Sequence, residues 1–326
     1  MAVRLSVLDL SPIPGGADAA TALRNTVDLA RHAERLGYHR YWIAEHHNIP
    51  GVASAATAVL VGQVAATTSR IRVGSGGIML PNHAPLIVAE QFGTLEAFHP
   101  GRIDLGVGRA PGTDQRTARA IRGNSASADD FPEQLSELLD YFEPDPARGV
   151  DAVPAIGRRP PVWLLGSSGF SARLAGRLGL PFAFAHHLAA RNTLPAVRLY
   201  RDSFRPSPTL SEPLLLLSVT VVCAETDERA GWLAGSAKLR YLSRRQGLPI
   251  PLPPPEEAAE YAYADADREL IEARFGSALI GSPETVRARL SGLVADTGAA
   301  EVMVTTMVHG HDDRVRSYEL VAGLRR

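Results

Sequence analysis

Eight short apolar segments alternate with helical patterns along the chain, and this alternation restricts the fold more than any other feature. The segments span residues 4–10, 40–44, 71–75, 103–107, 162–165, 182–185, 214–223 and 301–307. Between them, apolar residues recur at spacings of three and four, as at Leu23, Val27, Ala30 and Ala33, before Gly37 stops the pattern. Further helices are predicted over 53–68, 85–98, 131–142, 171–180, 194–204, 226–245 and 312–324. Strands separated by helices run parallel. Eight such units in 326 residues fit an α/β fold of the closed (β/α)8 barrel type better than an open doubly wound sheet. Residues that follow the strands of such a barrel share one face, so Glu45, Gly76, Arg109, Ser167 and His186 are expected at one mouth.

One domain over 1–326 is the economical organisation, with insertions around 108–130 and 225–298 on the face that carries chemistry. The second insertion holds a proline-rich bend (Pro249, Pro251, Pro253, Pro254, Pro255) and a helix start at Pro283-Glu284. Neither has the composition of a linker.

Composition removes several functions. The 34 basic and 35 acidic residues leave a formal charge of −1, so no excess field draws the chain to nucleic acid or to an anionic membrane. No apolar stretch reaches membrane-spanning length, and the N-terminus enters a strand pattern at once without a signal-peptide arrangement; a cytoplasmic location is expected. Cys223 is the single cysteine, which excludes an internal disulfide, a thiolate zinc cage and a dithiol redox pair. Redox chemistry would therefore need a cofactor. Lys238 is the sole lysine and falls in a predicted helix, so Schiff-base chemistry would rest on that residue.

Several strand ends carry residues suited to chemistry. Glu45-His46-His47 follows the apolar run 41–44; an imidazole there can take or give a proton near neutral pH, and a neighbouring carboxylate can fix its tautomer. Three glycines within Gly74-Ser75-Gly76-Gly77 permit either a tight turn or the close approach of a flat ligand. Arg109 can present paired donors to a phosphate. The surrounding Gly106-Val107-Gly108 imitates a dinucleotide fingerprint, but Pro111 occupies the third glycine position, so no nicotinamide site is read. Gly166-Ser167-Ser168-Gly169-Phe170-Ser171 leads into a helix, where hydroxyls and unpaired amides suit an anion; Ser171 is alternatively only the helix cap. His186-His187 forms a second histidine pair at a strand end, and with His46, His47 and Glu45 it raises the question of a metal. No helical His-Glu-x-x-His spacing accompanies it, and no metal is expected.

In order and spacing, the segments 41–47, 73–81, 100–109 and 165–168 resemble the bacterial luciferase-like flavin monooxygenases, and the resemblance spans nearly the whole chain. It implies a (β/α)8 barrel that binds reduced FMN delivered by a separate NAD(P)H-dependent reductase and uses O2 to oxidise a small organic substrate. Position by position, His46 matches the active-site histidine beside the flavin, with Glu45 or a backbone carbonyl expected to orient its ring. Gly76 and Gly77 match a cis peptide beneath the ring system. Arg109 matches the phosphate-binding arginine, and Gly166, Ser167, Ser168 and Ser171 match the segment that holds the phosphate. Gly108 departs from the pattern: the light-emitting subunit has a reactive cysteine there, so neither bioluminescence nor an aldehyde substrate is implied. The family also suggests a homodimer, for which the alanine-rich helix 53–68 is a candidate contact. Two other readings stay open, a relative that binds the deazaflavin F420 and transfers hydride, and a non-catalytic flavin-binding subunit.

Overall fold

The structure is a computed structural model, and it describes residues 3–110, 112–122 and 130–325. The described residues form ten strands: β1 (Arg4–Asp9), β2 (Arg40–Ile43), β3 (Arg72–Ser75), β4 (Ile78–Met79), β5 (Ile103–Gly108), β6 (Val162–Gly166), β7 (Phe182–Phe184), β8 (Leu215–Cys223), β9 (Leu279–Gly281) and β10 (Glu301–Thr305). Eight of them close a parallel barrel in the order β10-β1-β2-β3-β5-β6-β7-β8, with β8 returning to β10. The remaining two are short additions, β4 pairing with β5 and β9 with β8. All eight apolar segments form the barrel strands, and the fold is the expected (β/α)8 barrel.

Side-chain alternation then decides what fills the barrel. On β2, Tyr41 and Ile43 point outward into the core beneath the helices, whereas Trp42, and Ala44 just after the strand, point toward the axis. The inward set is layered. Lowest lies a polar layer, in which Arg40 pairs with Asp104 (2.7 Å) and Glu301 (3.0 Å), and Arg72 pairs with Asp104 (2.6 Å). Above it the Trp42 and Trp163 rings meet edge to face at 5.5 Å, among Leu8, Leu216 and Met303. This second layer is the dry floor on which the mouth is built.

Several boundaries depart from the sequence pattern. The helix expected from residue 53 runs Thr57–Thr67, because the preceding segment is a strap: Ala53 N–H donates to Ser11 O and Ser54 O accepts from His46 N–H. The helix expected from Ser171 begins earlier and spans Gly169–Arg177, with Ser168 at its N-cap position. His186-His187 does not extend a strand; the pair opens the short helix His186–Ala189. The later insertion contributes the helices Asp227–Arg245, Pro255–Glu260, Asp265–Phe275 and Pro283–Thr297. Of the earlier insertion, residues 111 and 123–129 lie outside the described residues, and the rest includes the helix Gln115–Arg122.

Candidate active site

The inward parity of Trp42 on β2, and of Ala44 just after it, carries on to His46, which places that ring over the barrel mouth. His46 N–H is anchored to Ser54 O at 3.0 Å, while its buried Nδ1 has no hydrogen-bond partner. Burial, reinforced by the charges of Arg244 and Arg240, pushes the His46 pKa down to about 4. The ring is therefore neutral at pH 7, with one nitrogen able to donate and the other to accept.

Glu45 does not orient His46. Its carboxylate turns aside and accepts from His47 Nε2 (2.9 Å), His83 Nε2 (2.9 Å), Asn82 Nδ2 (3.2 Å) and Met79 N–H (3.1 Å). The opposite parity of His47 explains this, since it carries that ring to the same side as the Glu45 carboxylate's partners. Burial alone would raise the Glu45 pKa, but bonds from His83 and His47 and the charge of His83 outweigh it and hold the group below the usual carboxylate range. A carboxylate so shared clamps segment 79–83 beside the third strand end.

That strand end is the glycine segment. The Gly76-Gly77 peptide is cis. A Cβ added at Gly77 would lie 2.7 Å from Gly106 O and 3.1 Å from Leu165 Cδ2, so only glycine lets the neighbouring backbone approach this closely. The result is a bare backbone shelf above the Trp42–Trp163 floor.

Arg109 leaves β5 at the mouth with its guanidinium over the Phe170 ring, 4.5 Å from the centroid. Phe170 belongs to the first turn of the helix that follows Gly166-Ser167-Ser168, so the arginine is held beside a helix N-terminus and its unpaired amides. Ser168 makes no side-chain capping bond. Ser171 lies in the first turn of the helix, buried against the strand end, where a Cβ on Gly166 would overlap its Oγ. Ser167, Ser168 and Ser171 are thus grouped with Gly166 and Arg109.

This mouth suits a bound ligand on observations independent of any relative. Besides His46 Nδ1, the buried Trp163 Nε1, Ser218 Oγ and Thr305 Oγ1 lack hydrogen-bond partners. All belong to the inward-facing sets of their strands, which share Trp163, Leu216 and Met303. Unpaired buried polar atoms are costly in a packed interior unless a ligand meets them.

Sequence reasoning found the His186-His187 pair but missed the arginines that meet it at this mouth. His187 Nδ1 donates to Ser218 O at 3.1 Å, and its carbonyl accepts from Arg274 Nη1. Burial, then Arg274 and the neighbouring histidines, lowers the His187 pKa to about 4 against the opposing bond to Ser218. Arg240 and Arg274 come from helices of the later insertion, whose placement over the barrel has no sequence signature. The one available signal was Arg240 and Arg244, like charges one turn apart on a predicted helix. Among the described residues, no group of three or more His, Cys, Asp or Glu is arranged to hold a metal ion, and no helix is long and apolar enough to cross a membrane.

The model of the luciferase-like monooxygenase family matches residues 3–301. A luciferase-like monooxygenase of Escherichia coli is 45% identical over 99% of this chain and 97% of its own length. The N-acetyl-S-alkylcysteine monooxygenase of Bacillus subtilis is 35% identical over 98% and 97%. Among solved structures, apo-MsnO8 superposes with a TM-score of 0.90 at 39% identity, covering 99% of this chain and 98% of that one. A barrel with this mouth, matched nearly end to end by the family model and by relatives at this identity, belongs to the luciferase-like monooxygenase family.

Proposed function

We propose that the chain is a monooxygenase that uses reduced FMN and O2 to oxidise a small organic substrate, with the reduced flavin supplied by a separate NAD(P)H-dependent reductase. The observation that carries this reading is the placement of Arg109 on Phe170 at the Gly166–Ser171 helix start, across the mouth from the unpaired His46 Nδ1. Bound reduced FMN supplies the electrons that activate O2. The chain does the rest: Arg109, Ser167, Ser168 and Ser171 hold the phosphate, Gly76-Gly77 gives the ring a flat support, and the tryptophan floor keeps water from the barrel side. His46, neutral at working pH, holds or passes a proton through the nitrogen that has no protein partner. N-acetyl-S-alkylcysteine, named for the Bacillus subtilis relative, is of the small-molecule class proposed here.

The same proposal includes a cytoplasmic homodimer. Val59 on the helix Thr57–Thr67, with Ile87 and Phe98 on the helix Pro85–Phe98, is a large apolar side chain left exposed, which supports a contact through this side.

The test is anaerobic titration with reduced FMN and, separately, reduced F420, followed by rapid mixing with oxygen. Tight binding of reduced FMN and oxygen consumption coupled to substrate oxidation are expected. Binding of reduced F420 without reduced FMN would replace the reading with deazaflavin hydride transfer, and retained flavin without turnover of any substrate would make the chain a non-catalytic subunit.

A further inference from the structure

Opposite the phosphate loop, the mouth is roofed by arginines that the flavin reading leaves unused. Arg240 and Arg244 stand one turn apart on the helix Asp227–Arg245, and Arg274 ends the helix Asp265–Phe275. The two helices are locked together where the Tyr241 and Phe275 rings meet edge to face at 5.8 Å. Arg240 reaches the loop that carries His46: its Nη2 donates to Pro50 O at 3.3 Å, and its Nε lies 3.0 Å from the point where a side chain on Gly51 would begin. Arg274 reaches the opposite histidine, donating to His187 O.

Among the described residues no carboxylate forms an ion pair with Arg240, Arg244 or Arg274; Arg240 and Arg274 donate instead to backbone carbonyls. Arg240 Nε is buried without a partner. Burial and the nearby Arg244 lower the Arg240 pKa to about 10, and burial lowers that of Arg274, the direction expected of cations that lack anions. Elsewhere the chain pairs its buried arginines with acids, as Arg40 with Asp104 and Glu301 and Arg314 with Asp9. At the mouth Arg240 and Arg274 are half-buried and Arg244 is exposed, and the two half-buried charges have no acid beside them; a partly desolvated charge without an anion is costly unless a ligand completes it.

We infer that Arg240 and Arg274 form an anion subsite over His46 and His187 that binds a carboxylate of the organic substrate, and so select acidic over neutral substrates. This rests on the monooxygenase reading of the same site. A carboxylate suits the geometry because each guanidinium already spends one donor on a carbonyl and keeps others for a planar, bidentate acceptor. The flavin phosphate has its own arginine in Arg109.

The test uses the full chain loaded with oxidised FMN and a panel of straight-chain acids of three to eight carbons, each paired with its primary amide, with binding followed by calorimetry. At least one acid is expected to bind tenfold or more tightly than its amide, and Arg240→Gln or Arg274→Gln is expected to reduce that preference to under threefold. Two variants on separate helices guard against a folding defect in either, and circular dichroism confirms each fold. FMN affinity, measured on the same samples, is expected to stay within threefold of the wild-type value. Equal binding of every acid and its amide, no binding by any acid, or a preference that survives both substitutions would overturn the subsite. A loss of FMN affinity in the Arg240 or Arg274 variants as large as that in Arg109→Ala would also overturn it, by giving these arginines to the cofactor. If wild-type protein instead discriminates acids from amides but never binds FMN, the subsite stands and the monooxygenase reading falls.

Discussion

The guanidinium of Arg109 lies over the Phe170 ring, its central carbon 4.5 Å from the ring centroid, and this contact ties the end of β5 to the helix that follows β6. Stacking leaves the in-plane N–H donors free to point at an anion while the ring limits the arginine's motion. The pair thus prepares a phosphate site from two segments separated by about sixty residues of chain.

Arg109→Ala is expected to weaken FMN through its phosphate by about 1.5 to 3 kcal/mol, or roughly tenfold to a hundredfold, the scale of a lost charged hydrogen bond. Riboflavin, which has no phosphate, should bind nearly unchanged. Phe170→Ala removes only the stacking and should cost about 0.5 to 1 kcal/mol. Flavin fluorescence titrations with FMN and riboflavin measure all of these, and equal losses for the two ligands would show that Arg109 does not read the phosphate.

His46→Ala should lower coupled substrate oxidation by at least about a hundredfold, the lower end of general acid–base contributions, while FMN affinity stays near wild type. Because the His46 pKa is lowered to about 4, the ring is neutral from alkaline pH down to about 5, so activity that depends on it should fall only as pH drops toward 4. Single-turnover assays across pH 5 to 9 check this; a sigmoidal loss centred near 6.5 that vanishes in the variant would contradict the neutral-ring assignment. His47→Ala should behave differently, because its ring serves Glu45 and not the mouth.

Glu45 gathers four donors on a buried carboxylate, so Glu45→Ala should loosen segment 79–83 rather than abolish chemistry directly. A stability loss of about 1.5 to 3 kcal/mol is expected from the charged hydrogen bonds removed. Hydrogen exchange should rise at Met79 and His83, and Glu45→Gln, which keeps the shape and part of the acceptor capacity, should recover part of the loss. Unchanged exchange in Glu45→Ala would remove the clamp.

The barrel was legible because its strands are buried on both faces and read as continuous apolar runs, such as 215–223, each bounded by a helix signal. His46, Gly76, Gly77, Arg109 and the 166–171 segment were legible for the same reason, since each directly follows a recognisable strand. The relation of Glu45 to its neighbours was not. Sequence adjacency suggested that it serves His46, but alternation at a strand end sends adjacent side chains apart, and the true partners His83 and Met79 are more than thirty residues away. Arg240 and Arg274 were illegible because their approach to His46 and His187 depends on how an insertion folds over the barrel. Ser171 was expected in the phosphate segment or, alternatively, as the helix cap, but the helix begins two residues earlier, at Gly169, and its N-cap position is Ser168.

Asp9 is fully buried between β1 and the helices Ala19–Arg35 and His311–Gly323, where it accepts from Ser11 N–H (2.7 Å), Thr26 Oγ1 (2.7 Å), Tyr41 and Arg314 Nη2 (2.6 Å). Burial by itself would raise its pKa, but the Arg314 charge and the bonds from Tyr41, Thr26 and Arg314 overcome that and hold it below its usual value. A depressed carboxylate pKa adds stability that is present in full above the unfolded value, about 3.9, and is lost as pH falls through the folded value. Arg314→Met leaves Asp9 buried without its cation and should cost about 3 to 5 kcal/mol at pH 7. In that variant the folded pKa of Asp9 rises, so acidification protonates the stranded carboxylate and relieves it, while the wild-type contribution stays complete down to about pH 4. The difference between the two should therefore be largest near neutrality and narrow toward pH 4. Urea unfolding of both proteins at pH 7, 5 and 4 measures it, and a difference that stays constant across that range would show that the Arg314 side chain stabilises the barrel by packing and not by its charge on Asp9.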